Sequence, residues 1–246
     1  MHSVRIVLIE PQRGGNVGSV ARAMKNLGLS DLCVVRPACD LDGDEARRMA
    51  VSAVNLLETA RHCEDLSEAI GDVETVVGTS ARRGKQRRPH WSVGEFCDEV
   101  LPRLEQSKLA LLFGREDHGM SDADLDSCTH LVYLPASEAL TSFNLAQAVL
   151  LVGWELRRHT LAAAAAPTAA ESAGEKLAQS AEREAFFEHL AEALLEIGFT
   201  SDQTSESIMR RMRRIYGRAQ LSVDELSTLR GMARQMLWAA RQSDES

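Results

Sequence analysis

The sequence has no long run of apolar residues, and this absence bounds the kinds of protein it can encode. Its first apolar segment, VRIVLIE at residues 4–10, is too short for the core of a signal peptide and precedes no cleavage-like site. No other segment approaches the roughly 20 apolar residues that a membrane-spanning helix needs. The sequence alone therefore predicts neither an export signal nor a membrane span.

Cysteine is sparse, and its positions follow no metal-binding or disulfide pattern. The five cysteines, at positions 33, 39, 63, 97 and 128, are odd in number and include no CxxC pair. This usage argues against a disulfide framework or a zinc knuckle and fits a reduced, cytoplasmic setting. The pairs His62–Cys63 and Cys128/His130 are conceivable metal ligands, but buried apolar cysteine is the simpler interpretation, and we expect no metal.

Excess positive charge is also missing. Lys and Arg number 28 against 36 Asp and Glu, which gives a formal net charge of -8. Global charge therefore gives no hint of a nucleic-acid partner, and any basic binding site must be local. Two local clusters stand out, although a charge run is usually a solvated face. The first comprises Arg82, Arg83, Lys85, Arg87 and Arg88, and the second Arg210, Arg211, Arg213, Arg214 and Arg218.

Short apolar runs alternate with helical patterns from residue 1 to about 158. The runs RIVLI, LCVV, TVVGT, LALLF and HLVYL lack strict alternation, as strands buried on both faces of a parallel sheet do. Apolar residues recur at helical spacing over 16–27, and Ser92 with Glu95 predicts a capping box for a helix ending near Leu104. Residues 144–158 read as an apolar helix for the core or an interface. The order predicts a doubly wound α/β domain at 1–160.

The composition changes after residue 160. The Ala-rich residues 161–177 predict a linker that is partly helical at its ends. Helical patterns follow at 182–197, at 205–218, which is strongly basic, and at 222–241, which opens with a Ser222/Glu225 capping box. Because no strand pattern occurs here, residues 178–246 are predicted to form a small helical domain.

The stretch GGNVGSVARAMKNLG, residues 14–28, links the first strand to the first helix and looks like a nucleotide-binding turn. It fits neither the P-loop, which needs GxxxxGK and then Ser or Thr, nor GxGxxG. Backbone N–H groups at a helix start would still suit an anion, and Asn16 is a natural N-cap. Arg22, one and a half turns into the helix, could reach an anion there. Taken alone, these residues fit a plain strand-to-helix turn equally well.

Two further segments decide between these interpretations. LLFGREDHGMSDADL at 111–125 is a strand with a Gly-rich loop, and YLPASEALTSFNLAQAVLLVGWEL at 133–156 is a strand, a loop and an apolar helix. With GNVGSVARAMKNLG they resemble, in order and approximate spacing, the three motifs of the SPOUT methyltransferases, trefoil-knotted enzymes that methylate RNA. VVGTSAR at 76–82 and IMRRMRRIYGRA at 208–219 extend the resemblance over nearly the whole chain. Within the superfamily, the chain is similar to the enzymes that methylate the 2′-hydroxyl of cytidine and uridine in tRNA.

The resemblance implies properties that composition and periodicity do not reveal. It implies a SPOUT-type parallel sheet with a C-terminal trefoil knot and a small all-α C-terminal domain. It also implies S-adenosylmethionine as cofactor and a homodimer that methylates the ribose at position 32 of the tRNA anticodon loop. The cofactor would lie among three loops at strand ends, which here comprise Thr79, Ser80, Ala81, Gly114, Glu116, Gly119, Leu134, Thr141, Ser142, Phe143, Asn144 and Leu145.

The physical chemistry of an adenosyl site is compatible with these residues. Gly114 and Gly119 would let the backbone approach the ligand closely, and Leu134 would supply an apolar wall and a backbone contact. Glu116 would help to shape the glycine loop. The S-L-N-L pattern of the family begins at Ser142 here but carries Phe143 in second place, which enlarges the apolar wall beside the cofactor.

Arg22 and Ser142 match the catalytic positions of the family. The implied reaction is an SN2 methyl transfer from a sulfonium to a 2′-hydroxyl. Because a guanidinium is effectively always protonated, we expect Arg22 to position the RNA phosphate and the 2′-oxygen rather than to act as a base. Ser142 would hold the ribose or orient Arg22. Asn16 would brace the same turn or contact the RNA.

Beside these motifs, both basic clusters become candidate RNA-binding surfaces, with Trp91 and Tyr216 as candidate stacking residues. Two alternatives remain open. One is a SPOUT enzyme that methylates another tRNA or rRNA site, and the other is a non-catalytic RNA-binding relic of the fold. Retention of Arg22, Ser142 and the glycine loop favours an enzyme over the relic.

Overall fold

A computed structural model describes residues 3–80, 90–104, 107–165 and 176–244 of the chain. It divides into two compact units, Met1–Ala173 and Gly174–Ser246. The division falls within the stretch at 161–177 for which the sequence predicts a linker, although the last helix of the first unit continues to Ala165. Across the four described ranges, no helix has both the length and the apolar character that crossing a membrane requires.

The first unit is built on a parallel sheet of seven strands within the described residues. They pair in the order β3-β2-β1-β6-β4-β7-β5, and every pairing is parallel. The strands are β1 (Ser3–Ile9), β2 (Asp31–Val35), β3 (Arg61–Cys63), β4 (Thr75–Ser80), β5 (His90–Ser92), β6 (Lys108–Phe113) and β7 (His130–Tyr133). The five apolar runs are β1, β2, β4, β6 and β7, which confirms the predicted α/β class.

Helices cover the sheet. Those of the first unit are α1 (Gly14–Leu27), α2 (Asp44–Ala50), α3 (Val54–Glu58), α4 (Leu66–Ile70), α5 (Val93–Glu95), α6 (Asp122–Asp126) and α7 (Leu145–Ala165). The predicted capping box opens α5, where Ser92 and Glu95 bond reciprocally at 2.7 and 3.2 Å. Only this first turn is α-helical, because the chain continues through a π-helical turn, Phe96–Val100, and a 3-10 turn, Leu101–Leu104.

The sheet order places a topological switch point between the parallel strands β1 and β6, where the order in which strands are added reverses. The connection from β1 leads to β2 on one side, whereas the chain after β6 leads to β7 on the other. Because the strands are parallel, the loops after β1, β4, β6 and β7 all leave the same edge of the sheet. In open α/β sheets, ligands bind outside the carboxyl ends of the strands at such a reversal. The three sequence motifs all lie at this edge.

The second unit has three helices in its described part, α8 (Ser180–Glu196), α9 (Ser205–Ala219) and α10 (Val223–Asp244). They match the three helical patterns in the sequence. The predicted capping box at the start of α10 is present, since the N–H of Ser222 donates to Glu225 at 2.9 Å and the N–H of Glu225 donates to Ser222 Oγ at 3.2 Å. Their core is formed by buried residues that include Phe186, Phe187, Leu190, Leu194, Met209 and Leu226.

Candidate active site

The glycines of the first turn allow close packing between elements of the protein itself. A Cβ atom on Gly18 would lie 2.1 Å from the carbonyl oxygen of Ala46, and one on Gly14 would lie 2.7 Å from the carbonyl oxygen of Asp40. Real Cβ atoms do not tolerate such contacts with backbone. The loop before α2, and α2 itself, therefore pack directly on α1, and these two glycines are explained without a ligand.

Asn16 is not the N-cap of α1, which corrects the sequence prediction. The helix begins at Gly14, and Arg13 is the residue at the N-cap position, without a side-chain capping hydrogen bond. Asn16 instead lies in the first turn, where its side chain points to other segments. Its Nδ2 donates to Glu116 Oε1 at 2.9 Å, and its Oδ1 accepts from Asn144 Nδ2 at 3.0 Å.

The carboxylate of Glu116 lies at the amino end of α1. Its Oε2 accepts the backbone N–H of Gln12 at 2.9 Å, and its Oε1 accepts the side chain of Asn16. The start of a helix favours negative charge because its first N–H groups are unpaired and its dipole is positive there. The sequence indicated a turn that would suit an anion, and the chain itself places the carboxylate of Glu116 beside it.

Asn144 completes this chain of hydrogen bonds from the opposite side. It caps α7, because its Oδ1 accepts the N–H of Ala146 at 2.9 Å, while its Nδ2 donates to Asn16. The three motifs are thus joined in the order Glu116, Asn16, Asn144. The family resemblance implied that the three motifs contribute to one site, but not that these three side chains bond directly.

The loop after β6 closes on itself. Arg115 and Gly119 exchange backbone hydrogen bonds at 3.2 and 2.9 Å, and Gly119 has a φ of +75°, which favours glycine. A Cβ atom on Gly114 would lie 2.3 Å from the carbonyl carbon of Gly119. Gly114 is therefore required for the loop to close, whereas the sequence argument assigned it to the approach of a ligand.

Glu10 and Arg115 form an ion pair beside this loop that the sequence argument missed. Glu10 directly follows β1 and has a φ of +49°, and its carboxylate binds Arg36 at 3.0 Å and Arg115 at 3.2 Å. The hydrogen bond from Arg36 lowers the pKa of Glu10 despite partial burial. The sequence signal for this pair is that residues of opposite charge, Glu10 and Arg115, each follow an apolar run. The sequence does not reveal that the two runs form the neighbouring strands β1 and β6.

A cavity of about 320 Å³ opens beside this ion pair, at the topological switch point between β1 and β6. It is lined by Ile9, Glu10, Arg115, His118, Gly119, Met120, Ser121 and Asp124. Its volume lies in the range of ligand clefts, roughly 300–1,000 Å³. Gly119 is the one residue of this lining that the sequence analysis included in the cofactor site.

The remaining predicted cofactor residues lie at the same edge of the sheet. Thr79 Oγ1 donates to the carbonyl oxygen of Leu112 at 2.8 Å, which ties the end of β4 to β6. Ser80 and Leu134 are half-buried at the ends of β4 and β7, and Leu145 is buried as the first residue of α7. The segment Thr141, Ser142 and Phe143 is exposed. Ala81 lies outside the described residues.

Arg22 is exposed on α1, and no hydrogen bond or ion pair connects its side chain to any other described residue. It follows Asn16 by six residues, which corresponds to about 9 Å along the helix axis. Ser142 precedes Asn144 by two residues. Arg22 and Ser142 therefore belong to two elements, α1 and the start of α7, that the Asn16–Asn144 hydrogen bond holds together.

In the second basic cluster, some arginine side chains bind neighbouring carboxylates and others do not. Arg210 pairs with Glu206 at 3.3 Å, whereas Arg213 binds Glu184 and lies 5.2 Å above the ring of Phe187. The side chains of Arg211 and Arg214 make no hydrogen bond or ion pair with the described part of the chain. The first cluster, comprising Arg82, Arg83, Lys85, Arg87 and Arg88, lies outside the described residues.

The two candidate stacking residues have different surroundings. Tyr216 packs edge-on against Phe186, with 5.5 Å between ring centroids, and belongs to the core of the helical unit. That packing makes it a poor platform for a nucleobase. Trp91 lies on the edge strand β5 and is half-buried. Within the described ranges, no group of three or more His, Cys, Asp or Glu side chains is arranged to hold a metal ion.

A parallel sheet whose carboxyl edge carries a closed glycine loop and a cavity is the architecture of an α/β enzyme with a small-molecule site. Residues 3–154 match the SpoU rRNA Methylase family, and the chain belongs to that family. Residues 181–245 match the C-terminal domain of the tRNA methyltransferase TrmJ. The resemblance inferred from the three motifs is thereby confirmed.

Relatives with curated names match nearly the whole chain. The tRNA (cytidine/uridine/adenosine-2′-O-)-methyltransferase TrmJ of Pseudomonas aeruginosa strain UCBPP-PA14 is 36% identical over 245 residues, which cover 97% of this chain and 95% of the relative. The tRNA (cytidine/uridine-2′-O-)-methyltransferase TrmJ of Yersinia enterocolitica is 36% identical over 235 residues, covering 94% and 90%. The crystal structure of TrmJ from Z. mobilis ZM4 has a TM-score of 0.80 at 28% identity and covers 94% of this chain and 98% of that one.

Proposed function

We propose that the protein is a tRNA methyltransferase that transfers a methyl group from S-adenosylmethionine to a ribose 2′-hydroxyl. The target is the cytidine or uridine at position 32 of the anticodon loop, and the reaction takes place in the cytoplasm. The observation that carries the proposal is the joining of all three motifs through Glu116, Asn16 and Asn144. Family membership and the names of relatives of nearly equal length support it.

The loops at the carboxyl edge of the sheet fit an adenosyl cofactor. Gly114 and Gly119 close the loop after β6, while Leu134 and the exposed Phe143 offer apolar surface at the same edge of the sheet. The ends of β4 and β7 add backbone donors and acceptors at Ser80 and Leu134. When bound here, S-adenosylmethionine supplies a methyl group activated by a sulfonium. The residues of the chain then serve to orient the ribose and to exclude water.

Arg22 is the residue we assign to the RNA. Its guanidinium has no carboxylate partner among the described residues, so its donors remain available for an incoming phosphate or 2′-oxygen. A planar guanidinium holds such oxygens in a bidentate manner and thereby fixes the direction of attack. Ser142, exposed before the start of α7, would contact the ribose. The proton of the hydroxyl leaves to the substrate phosphate or to water, because Arg22 cannot accept it.

We further propose a homodimer formed through α7. One face of this helix carries Val149, Val152 and Leu156, which are buried in the first unit. Another carries Leu150, Leu151 and Trp154, which are 42%, 39% and 51% exposed. Large apolar side chains clustered on a surface helix favour burial against a partner. A second copy of the chain would cover them, and Trp154→Glu is expected to shift the protein to a monomer in sedimentation analysis.

Methyl transfer from tritiated S-adenosylmethionine to unmodified tRNA transcripts tests the function. The modified nucleotide is mapped by nuclease digestion and mass spectrometry. We expect a 2′-O-methyl group at position 32, and a loss of about 100-fold or more in kcat/KM for Arg22→Ala, since positioning and charge stabilisation are removed together. Arg22→Lys should not restore activity, because an ammonium lacks the bidentate geometry.

A matched control is Arg61→Ala. Arg61 is exposed at the start of β3, where it binds Asp31 at 3.2 Å, and it lies at the amino edge of the sheet, opposite the candidate site. This variant should keep wild-type activity. Methylation at a different nucleotide would indicate another SPOUT specificity, and absence of cofactor binding by the wild type would leave a non-catalytic RNA-binding protein.

A further inference from the structure

The helical unit contains a cavity of about 390 Å³ between α8 and α10. Glu182 and His189 of α8 line one side, and the other side is formed by Val223, Leu226, Ser227, Arg230 and Arg234 of α10. No residue of the basic helix α9 takes part in this lining. The cavity is therefore a feature separate from the arginine cluster that the sequence singled out.

Two arginines dominate the polar side of this cavity. Arg230 and Arg234 are one helical turn apart on α10, about 6 Å along its axis, and Ser227 lies on the same face. Each guanidinium carries five N–H donors and no acceptor. The side chain of neither arginine makes a hydrogen bond or ion pair with another residue in the described ranges, whereas Arg241 on the same helix approaches Glu192 at 3.5 Å.

The charge of the lining favours an anion. Glu182 is the one carboxylate among the lining residues, and its Oε2 already accepts the N–H of Gln179 at 2.7 Å as part of the capping box of α8. Two guanidinium groups outweigh this single carboxylate. The hydroxyl of Ser227 and the imidazole of His189 add further hydrogen-bond donors. Phosphate oxygens match such a set because guanidinium groups bind them in a bidentate manner.

We propose that the cavity between α8 and α10 binds a phosphodiester of the tRNA substrate through Arg230 and Arg234. This inference rests on the proposed function, because it takes tRNA as the substrate. It adds a contact surface to the one predicted on α9, where Arg210 and Arg213 are engaged by Glu206 and Glu184. The cavity holds the backbone of the tRNA and reads no base, so it contributes affinity and register rather than sequence specificity.

The test is equilibrium binding of unmodified tRNA to the full-length protein over a series of salt concentrations. The variants are Arg230→Ala, Arg234→Ala and the double variant, with Arg241→Ala as matched control because its guanidinium lies outside the cavity near Glu192. We expect the double variant to bind tRNA at least about 10-fold more weakly and the slope of log K against log salt to fall by about one for each arginine removed. The control should match the wild type, and S-adenosylmethionine affinity should not change.

Several outcomes would overturn the proposal. Wild-type affinity and salt slope in the double variant would exclude a phosphodiester contact. Inorganic phosphate that binds the wild type but not the double variant, with tRNA binding unchanged, would assign the cavity to a free anion. If the alanine double variant fails to fold, Arg230→Gln with Arg234→Gln keeps the side-chain volume, and its tRNA affinity decides. Failure of the proposed function is distinguishable, because the wild type would then bind tRNA without methylating it.

Discussion

The hydrogen-bonded chain from Gln12 to Ala146 makes a sharp prediction, because its donors and acceptors allow one arrangement. A backbone N–H donates at each end, from Gln12 to Glu116 and from Ala146 to Asn144. Between them, Asn144 donates to Asn16, and Asn16 donates to Glu116. Each amide uses one donor and one acceptor, so the side chain at position 116 must accept at both of its terminal atoms, Oε2 from Gln12 and Oε1 from Asn16. Only a carboxylate has an acceptor at both positions.

Glu116→Gln therefore removes a hydrogen bond wherever the new amide is turned. If the oxygen of the new amide accepts from Gln12, its NH₂ group faces the NH₂ group of Asn16. If the amide of Asn16 rotates by about 180° so that its oxygen accepts from the new amide, its NH₂ group then faces the NH₂ group of Asn144. If the amide of Asn144 rotates as well, its NH₂ group faces the N–H of Ala146. The substitution conserves volume, so no cavity adds to the effect. Hydrogen bonds to charged groups contribute about 1.5–3 kcal/mol each. Since Glu116 is half-buried, we expect a loss of about 1–2 kcal/mol in the free energy of unfolding.

A second substitution should repair the first. In the double variant with Asn16→Asp, the carboxylate sits one link further along, where it accepts from the new amide at position 116 and from Asn144, and every donor again has an acceptor. Asn16→Asp alone places two carboxylates in contact and should be destabilising. The coupling free energy between the two sites should therefore be favourable by about 1–3 kcal/mol.

Urea denaturation, followed by circular dichroism, measures all four proteins of this cycle. Hydrogen exchange of residues 10–16 and 114–119 shows whether the effect is local. A double variant that is no more stable than Glu116→Gln would refute the donor and acceptor assignment. Equal stability of the wild type and Glu116→Gln would show that the hydrogen bonds between α1 and the loop after β6 contribute nothing to the free energy of unfolding.

Three further substitutions test other features of the first unit. Gly18→Ala should lower the free energy of unfolding by about 1–3 kcal/mol in spite of the better helix propensity of alanine, because the new Cβ would lie 2.1 Å from the carbonyl oxygen of Ala46. The control Gly94→Ala, with open space around the Cβ, should be neutral or stabilising. Equal effects of the two substitutions in urea denaturation would contradict the packing role of Gly18. Val51→Gly should raise stability by about 1 kcal/mol, because this exposed β-branched residue has a φ of +53°, and a lower unfolding midpoint would show that the turn is unstrained. The hydrogen bond from Arg5 lowers the pKa of Asp72, so the contribution of ionised Asp72 to the free energy of unfolding is complete above pH about 4 and is lost as the pH falls further. Asp72→Asn should therefore flatten the dependence of the free energy of unfolding on pH below about 4. An unchanged pH dependence would refute this linkage.

The sheet was predictable where its strands are buried on both faces. β1, β2, β4, β6 and β7 each contain a run of apolar residues, which a two-faced strand in a parallel sheet requires. β3 and β5 were missed because they are edge strands of three residues, RHC and HWS, without an apolar run. The order of strands was beyond reach as well, since β1 pairs with β6 across about a hundred residues of chain.

The candidate site was predictable as a set of motifs but not as a set of contacts. Asn16 and Glu116 are 100 positions apart in the sequence, and Asn16 and Asn144 are 128 apart. No local pattern specifies such a bond. The N-cap assignment of Asn16 was wrong for the same reason, because local propensity favoured a cap while the tertiary partners Glu116 and Asn144 required its side chain. The trefoil knot and the residue-by-residue roles of the site remain predictions.

The same contacts explain why the first turn resembles a phosphate-binding loop without matching one. A P-loop leaves its backbone N–H groups free for phosphate, whereas here the carboxylate of Glu116 lies beside the start of α1, where it accepts the N–H of Gln12 and the side chain of Asn16. The glycines are used for the packing of α2 on α1. A phosphate at this turn would be repelled by that carboxylate, so we expect side chains rather than the helix start to bind an RNA phosphate. On α1 the exposed Arg22 can do this, since its guanidinium has no carboxylate partner among the described residues.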